Sequence, residues 1–354
     1  MQIHATNING LGASQVVKSF LEALAKSGDL GKYTVLLPET GVLSNLKLEA
    51  GNFIKYKRIL PNAISRFIEC MCSRLFFSNE PTIVLGDIPL RGIKNQIVLV
   101  HQLNLVYPKI NSYSSKTINS RVNRFLFAIN HKYAKKIIVQ TGAMANDLIK
   151  SYPKIKDRVI ISPQPVPNWL NTDLKENQNY TKNNVCFFYP AAFYPHKKHD
   201  FLLKVDKYCR VNSYDISNVK VWLTLTKDEF KPYESVRWLE NLGRLDSEEM
   251  NDYYNKADAL LFLSSMESYG LPLIEALRIN LPIVVADFNY STWLCEEAVQ
   301  YFTPYNEKSF LKALDLQKTN ILSETKPDYN KIMRKFPNSW IEVVDIFQKE
   351  LLSN

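Results

Sequence analysis

The sequence predicts an α/β protein of two Rossmann-like domains, and three observations carry that prediction. Apolar runs of strand length alternate with amphipathic helical stretches along the whole chain. Those runs are apolar throughout, as strands of a parallel sheet covered on both faces must be. The 354 residues are long for one core and comfortable for two.

In the front half the strand candidates are a first short strand at the N-terminus, then YTVLLP, TIVLGD, QIVLVH, KKIIVQ and RVIISP. The alternation breaks at PQPVPNWLNTDLKENQNYTKN (163–183), where three prolines precede a polar run and a linker is expected. VCFFYP, VKVWLTL, ALLFLS and PIVVAD follow as the strands of the back half. The expected division is a first domain at 1–165, a linker at 166–183 and a second domain at 184–335. A C-terminal helix over 336–354 is expected to pack back on the first domain.

Composition narrows the function classes. Hydrophobic residues at 46% and charged ones at 22% exclude disorder as the main theme. The net charge of +9 is uneven: residues 1–150 hold 19 Lys+Arg against 8 Asp+Glu, and residues 151–354 hold 25 against 27. A front half at +11 calls for an anionic partner: nucleic acid, a phosphate-bearing substrate or an anionic membrane. A solvated face that keeps the protein soluble is the plain alternative. Five scattered cysteines without a C-x-x-C pair read as reduced thiols with no structural zinc. MQIHATNING lacks the blocks of a signal peptide, and no apolar run approaches the ~18 residues of a membrane span. The expected location is the cytoplasm, with the inner face of its membrane within reach.

Several loops hold residues suited to anion chemistry. Gly10 and Gly12, after the first strand and at a helix start, would let backbone N–H groups approach an anion, although a tight turn explains the pair equally. His101 closes QIVLVH at a carboxyl edge, expected to face an interdomain crevice. His196, Lys197 and Lys198 follow VCFFYP at a helix start, where positive charge suits a diphosphate. MESYGLPLIEALRINLPIVVAD (266–287) puts Glu267 at the carboxyl end of a strand and Glu275 about one turn into the next helix, where open α/β sheets keep their ligands. No D-x-D occurs to hold Mg²⁺ or Mn²⁺ on a nucleotide, and neither a P-loop nor a full G-x-G-x-x-G is present. Metal and cofactor are both expected to be absent.

The E-x7-E element Glu267-Ser-Tyr-Gly-Leu-Pro-Leu-Ile-Glu275, with GRLDSEEMNDYYNKADALLFLS before it and ALRINLPIVVAD after, resembles the family 4 retaining glycosyltransferases of bacterial surface-polysaccharide type. The resemblance is specific over 185–304 and looser in the front half, through Gly10, Gly12, His101 and VQTGAMANDLIKSYPKIKDRVIISPQPVP. It implies the GT-B fold, two Rossmann-like domains whose parallel sheets face a central cleft. It implies that Glu275 accepts hydrogen bonds from the nucleotide ribose, that Glu267 meets the donor sugar, and that the amides of Tyr269, Gly270 and Leu271 hold sugar hydroxyls and diphosphate. The Leu242–Leu245 loop would face the base, and Lys197 matches the phosphate lysine. Ala192 stands where that family has an arginine, leaving Lys198, His196 or Arg244 to compensate. Trp293 lies near a position where a glutamate is frequent.

The implied partners are a nucleotide sugar, UDP- or GDP-linked, and a glycan on a lipid diphosphate in O-antigen or capsule synthesis. SRFIECMCSRLFF (65–77) and KTINSRVNRFLFAINHKYAKK (116–136) interleave Arg and Lys with apolar residues, as interfacial helices on an anionic membrane would and as core helices also do. No nucleic-acid module is recognisable, so nucleic acid is not an expected partner. A basic-surface nucleic-acid binder and an inactive scaffold of the same fold stay open as alternatives.

Overall fold

The computed structural model describes residues 1–8, 10–58, 60, 62–106, 118–171 and 184–353. The chain forms two compact units, Met1–Pro167 with Phe336–Asn354, and Asn168–Lys335. Residues 172–183 of the expected linker lie outside the described residues.

The first unit is built on seven parallel strands: β1 (Gln2–His4), β2 (Thr34–Pro38), β3 (Asn52–Tyr56), β4 (Thr82–Val84), β5 (Gln96–Leu99), β6 (Lys136–Val139) and β7 (Val159–Ile161). Their spatial order is β3-β2-β1-β4-β5-β6-β7. Side chains alternate across the sheet. Ile3, Val35, Leu37, Ile83, Ile97 and Ile138 enter one core, and Leu36, Val84, Val98, Ile137 and Val139 enter the other. Helix Leu11–Lys26 covers the first face, and the final helix Trp340–Leu352 packs on it, with the Phe20 and Phe347 rings 5.0 Å apart.

The second unit carries six parallel strands, β8 (Val185–Tyr189), β9 (Val219–Leu223), β10 (Leu239–Asn241), β11 (Ala259–Phe262), β12 (Ile283–Ala286) and β13 (Gln300–Phe302), in the order β10-β9-β8-β11-β12-β13. Each sheet reverses its winding once. In the first the chain runs outward from β1 in one direction and returns to β4 on its other side; in the second the same happens between β8 and β11. Side-by-side strands whose crossovers leave in opposite directions open a crevice above their carboxyl ends. The loops after β1, β4, β8 and β11 are therefore where ligand chemistry belongs. Among the described residues no helix is long and apolar enough to cross a membrane.

Candidate functional site

In the second unit the two strands at the switch point are direct neighbours, Ala259 beside Phe187 and Leu260 beside Phe188. Their following loops consequently meet. After β8 the chain makes a single 3-10 turn, Pro195–Lys197, closed by Lys198 in the left-handed region (φ 57°). After β11, Ser264 and Ser265 hydroxyls and the Ser265 N–H all donate to the His196 carbonyl, at 3.3, 3.1 and 2.8 Å. The Tyr189 hydroxyl donates to the Lys197 carbonyl from below. These bonds fasten one loop to the other.

The result is an ion pair between Lys197 Nζ and Glu267 Oε1. The side chains are 14% and 13% exposed, so both are largely withdrawn from water without being sealed from a ligand. Lys197 Nζ also lies 5.4 Å from the Phe262 ring centroid, a cation–π contact that holds the ammonium over the end of β11.

Three residues beyond Glu267 the chain turns through Gly270 (φ 79°) into helix Leu271–Arg278, with Pro272 in its first turn. Proline fits there because the first N–H groups of a helix have no intrahelical acceptor. A Cβ on Gly270 would sit 3.3 Å from Leu294 Cδ1 and 3.4 Å from Leu273 Cδ1 in a backbone region that side chains disfavour. Gly270→Ala is accordingly expected to lower unfolding stability by about 1–2 kcal/mol, measured by urea denaturation; an unchanged midpoint would show that the turn does not require glycine.

Glu275 lies in that helix, 4% exposed, and accepts a 2.5 Å hydrogen bond from the Tyr254 hydroxyl. Burial pushes its carboxyl up to about 7, with the Tyr254 bond pulling the other way. Tyr254 comes from helix Ser247–Lys256, started by an Asp246 capping box with Glu249. A buried carboxyl whose pKa is raised in this way is a candidate for function.

The remaining basic candidates divide. Burial lowers the pKa of His196, and His199 beside it is pushed down to about 4 by burial and then by Lys197, so both rings are neutral at pH 7. The Arg244 guanidinium donates to both Glu229 carboxylate oxygens at 2.9 and 2.8 Å and to the Thr224 carbonyl at 3.2 Å. Arg244 thus pairs on the β9–β10 side of the sheet, and Lys198, next to Lys197 in the chain, holds its Nζ 5.5 Å from the Tyr305 ring centroid. The Trp293 ring carries Lys335 Nζ 5.1 Å from its centroid.

In the first unit, Gly10 caps helix Leu11–Lys26 with extended backbone, and Gly12 falls in its first turn. His101 lies two residues beyond β5. Asp87, after β4, accepts the backbone N–H groups of His101 and Gln102 on Oδ1 at 2.7 and 2.8 Å, and its Oδ2 stands 3.5 Å from His101 Nε2. Asp87 is 3% exposed and left-handed (φ 70°), a conformation tolerated when such bonds over-determine it. Its neighbour Gly86 takes a 2.5 Å hydrogen bond from the buried Arg66. Asp87 and Tyr254 were not among the sequence candidates. Asp87 has a signal in the polar end of TIVLGD; Tyr254, one of two adjacent tyrosines in NDYYNK, has none.

Residues 171–320 match the family described as Glycosyl transferases group 1. The chain is 27% identical over 248 residues to the O-antigen chain mannosyltransferase RfbU of Salmonella typhimurium; the match covers 67% of this chain and 65% of that protein's length. Among solved structures it is similar to WaaG, a glycosyltransferase involved in lipopolysaccharide biosynthesis, with a TM-score of 0.64 and 12% identity over 100% of this chain and 95% of that one. It is also similar to HepE of Anabaena in complex with UDP and glucose, with a TM-score of 0.66 and 12% identity over 99% and 98%. The fold is GT-B, with two Rossmann-like domains.

Proposed function

We propose that this protein is a retaining glycosyltransferase of the family 4 type, moving a hexose from a nucleotide sugar to a glycan carried on a lipid diphosphate in O-antigen or capsule assembly. The observation that carries the reading is the Lys197–Glu267 pair at the β8/β11 switch point, beside the Gly270 helix start and the buried Glu275. The relative's mannosyltransferase name makes nucleotide-linked mannose the first donor to try.

Cleaving a sugar–phosphate bond leaves charge on a nucleoside diphosphate. Lys197, with Lys198 in place of the arginine that Ala192 lacks, would face that charge together with the amides of Tyr269, Gly270 and Leu271. These groups are already fixed, so no metal is required of the proposed mechanism and little reorganisation accompanies the step. Glu275 would take the ribose hydroxyls. Glu267 would hold Lys197 before the donor arrives and meet the sugar afterwards. The acceptor hydroxyl would attack from the face the diphosphate leaves and pass its proton to the departing phosphate, giving retention. His101, fixed by Asp87, would orient the acceptor in the first unit.

The first unit's surface supports a membrane-borne acceptor. Between Glu80 and Asp147 the only acidic residue is the buried Asp87. Ile64, Phe67, Leu75, Phe76 and Phe125 are exposed on helices Asn62–Met71, Ser73–Phe76 and Ile118–Asn130, with Arg74 and Arg121 exposed beside them. Residues 116–117 of the second basic stretch lie outside the described residues. Exposed apolar side chains with exposed arginines on the same helices suit an anionic bilayer surface. The protein should sediment with anionic vesicles at low salt and be released at high salt, and Phe67→Asp with Phe125→Asp should weaken both; equal binding to neutral vesicles would count against this placement.

Arg244's commitment to Glu229, added to Ala192, favours a second reading as an inactive scaffold. Transfer assays with a panel of nucleotide sugars and an extracted lipid-linked glycan separate the two. Release of nucleoside diphosphate coupled to acceptor elongation supports the transferase; binding of donors without any release supports the scaffold.

A further inference from the structure

We infer that Trp169, on the segment leading out of the first unit, is a positioning residue for Glu275 and acts through Tyr254; this rests on the reading of Glu275 as the carboxylate that takes the nucleotide. All three residues belong to the second unit. The Trp169 ring stacks on the Tyr254 ring with centroids 6.4 Å apart and planes 29° from parallel, and the Tyr254 hydroxyl donates to Glu275 Oε2 at 2.5 Å. Phe188 of β8 meets the same tyrosine edge to face, with centroids 5.2 Å apart. The phenol is therefore held by one ring from the sheet and one from the connecting segment.

The segment is seated by more than this stack. The Asn171 N–H donates to Asn251 Oδ1 at 2.8 Å, and Leu170 between the two contacts is buried. Asn251 and Tyr254 are three residues apart in helix Ser247–Lys256, so they lie on one face and receive residues 169–171 together. Residues 169–171 belong to no helix or strand, so this seat, and not a regular element of their own, fixes where the indole lies.

What the indole covers is polar. Burial, and then the negative charge of Glu275, keep the Tyr254 hydroxyl protonated, so it stays a donor. Its bond orients the carboxylate and leaves further acceptor positions for a ligand. Removing the indole acts in two ways. The phenol loses a neighbour that fixes its rotamer, and water gains access towards a carboxyl whose raised pKa comes first from burial. A residue that only fills space would change stability and leave the titration of Glu275 where it is.

The test uses the full-length protein with Trp169→Ala and Trp169→Phe, each with and without Glu275→Gln. Calorimetric titration gives UDP and GDP dissociation constants on both sides of pH 7. At pH 8 Trp169→Ala should weaken nucleoside diphosphate binding about three- to tenfold, the scale of one loosened hydrogen bond to a charged group. The further weakening at acid pH should set in at lower pH than in wild type, so the two proteins draw closer in affinity near pH 6. Trp169→Phe keeps a ring against Tyr254 and should stay within about twofold of wild type with the same pH dependence. Trp169→Leu keeps apolar volume without a ring and serves in place of the alanine variant should that one not fold. Urea denaturation at pH 8 reads the same contacts without ligand: the rise in midpoint that Glu275→Gln brings should be clearly smaller in the Trp169→Ala background, because a carboxylate open to water is penalised less. Parallel pH dependences in Trp169→Ala and wild type, or an equal Glu275→Gln rise in both backgrounds, overturn the inference while leaving the nucleotide reading intact. If wild type binds neither nucleotide, that reading fails and denaturation alone decides the inference: a smaller rise in Trp169→Ala upholds it, and an equal rise overturns it.

Discussion

Replacing Lys197 by alanine is expected to lower the rate of sugar transfer by about 10²–10³, with a smaller effect on donor affinity. The magnitude is that of removing one preorganised charge contact from a transition state. Two changes act together. The ammonium opposite the leaving phosphate disappears, and Glu267, 13% exposed, loses the cation it pairs with and confronts the diphosphate as a bare carboxylate. Lys197→Arg should recover part of the loss because it keeps the charge, and Glu267→Gln in the alanine background should recover affinity by removing the repulsion. Of the other basic side chains nearby, burial favours the neutral form of His196 and His199, and Arg244 pairs with Glu229, so Lys198 is the ammonium left to offset part of the loss. Single-turnover kinetics measure this directly. Wild-type rates in Lys197→Ala would mean that the phosphate assignment is wrong.

Glu275 should show the second large effect, and it depends on pH. A ribose donating to this carboxyl binds its ionised form, whereas burial pushes the free protein's carboxyl up to about 7. Below pH 7 binding must release a proton, so the nucleotide dissociation constant should rise by up to about tenfold per pH unit and level off above 7. Glu275→Gln should weaken binding about 10–100-fold at pH 8, the scale of lost charge-assisted hydrogen bonds, and remove this pH slope. Stability should move in the opposite sense. With the folded pKa above the unfolded one, the stabilising contribution of the neutral acid is complete below pH 4.5 and is lost as pH rises toward 7. Glu275→Gln should therefore exceed wild type in stability by about 3 kcal/mol at pH 8 and match it near pH 4. Weaker nucleotide binding in a more stable protein is the signature of a carboxyl kept for function. A variant less stable than wild type at pH 8, with unchanged affinity, would make Glu275 structural.

Much of this was legible in the sequence because burial on both faces leaves a strand apolar throughout. ALLFLS and PIVVAD became β11 and β12, fully buried interior strands of the second unit's sheet. The strands that did not announce themselves are edges. NFIKY is β3, LEN is β10 and QYF is β13, each the last strand of its sheet and half solvated, so their residues carry no continuous apolar signal. The same division runs through the site. Glu267, Gly270 and Glu275 are local to one strand–turn–helix and can be read from spacing. Lys197 could be proposed from its helix start, but its pairing with Glu267 across 70 residues follows from the adjacency of β8 and β11. Commitment of Arg244 to Glu229, support of His101 by Asp87 and the Tyr254 bond to Glu275 are likewise products of packing, invisible to periodicity.

The most direct test of the central claim is calorimetric titration of the full-length protein with UDP and GDP in the presence of EDTA. The account predicts one saturable site for at least one of them, strongly weakened in Glu275→Gln at pH 8, with no divalent ion required. Absence of binding to both nucleotides, or binding that appears only when Mg²⁺ or Mn²⁺ is supplied, would contradict it.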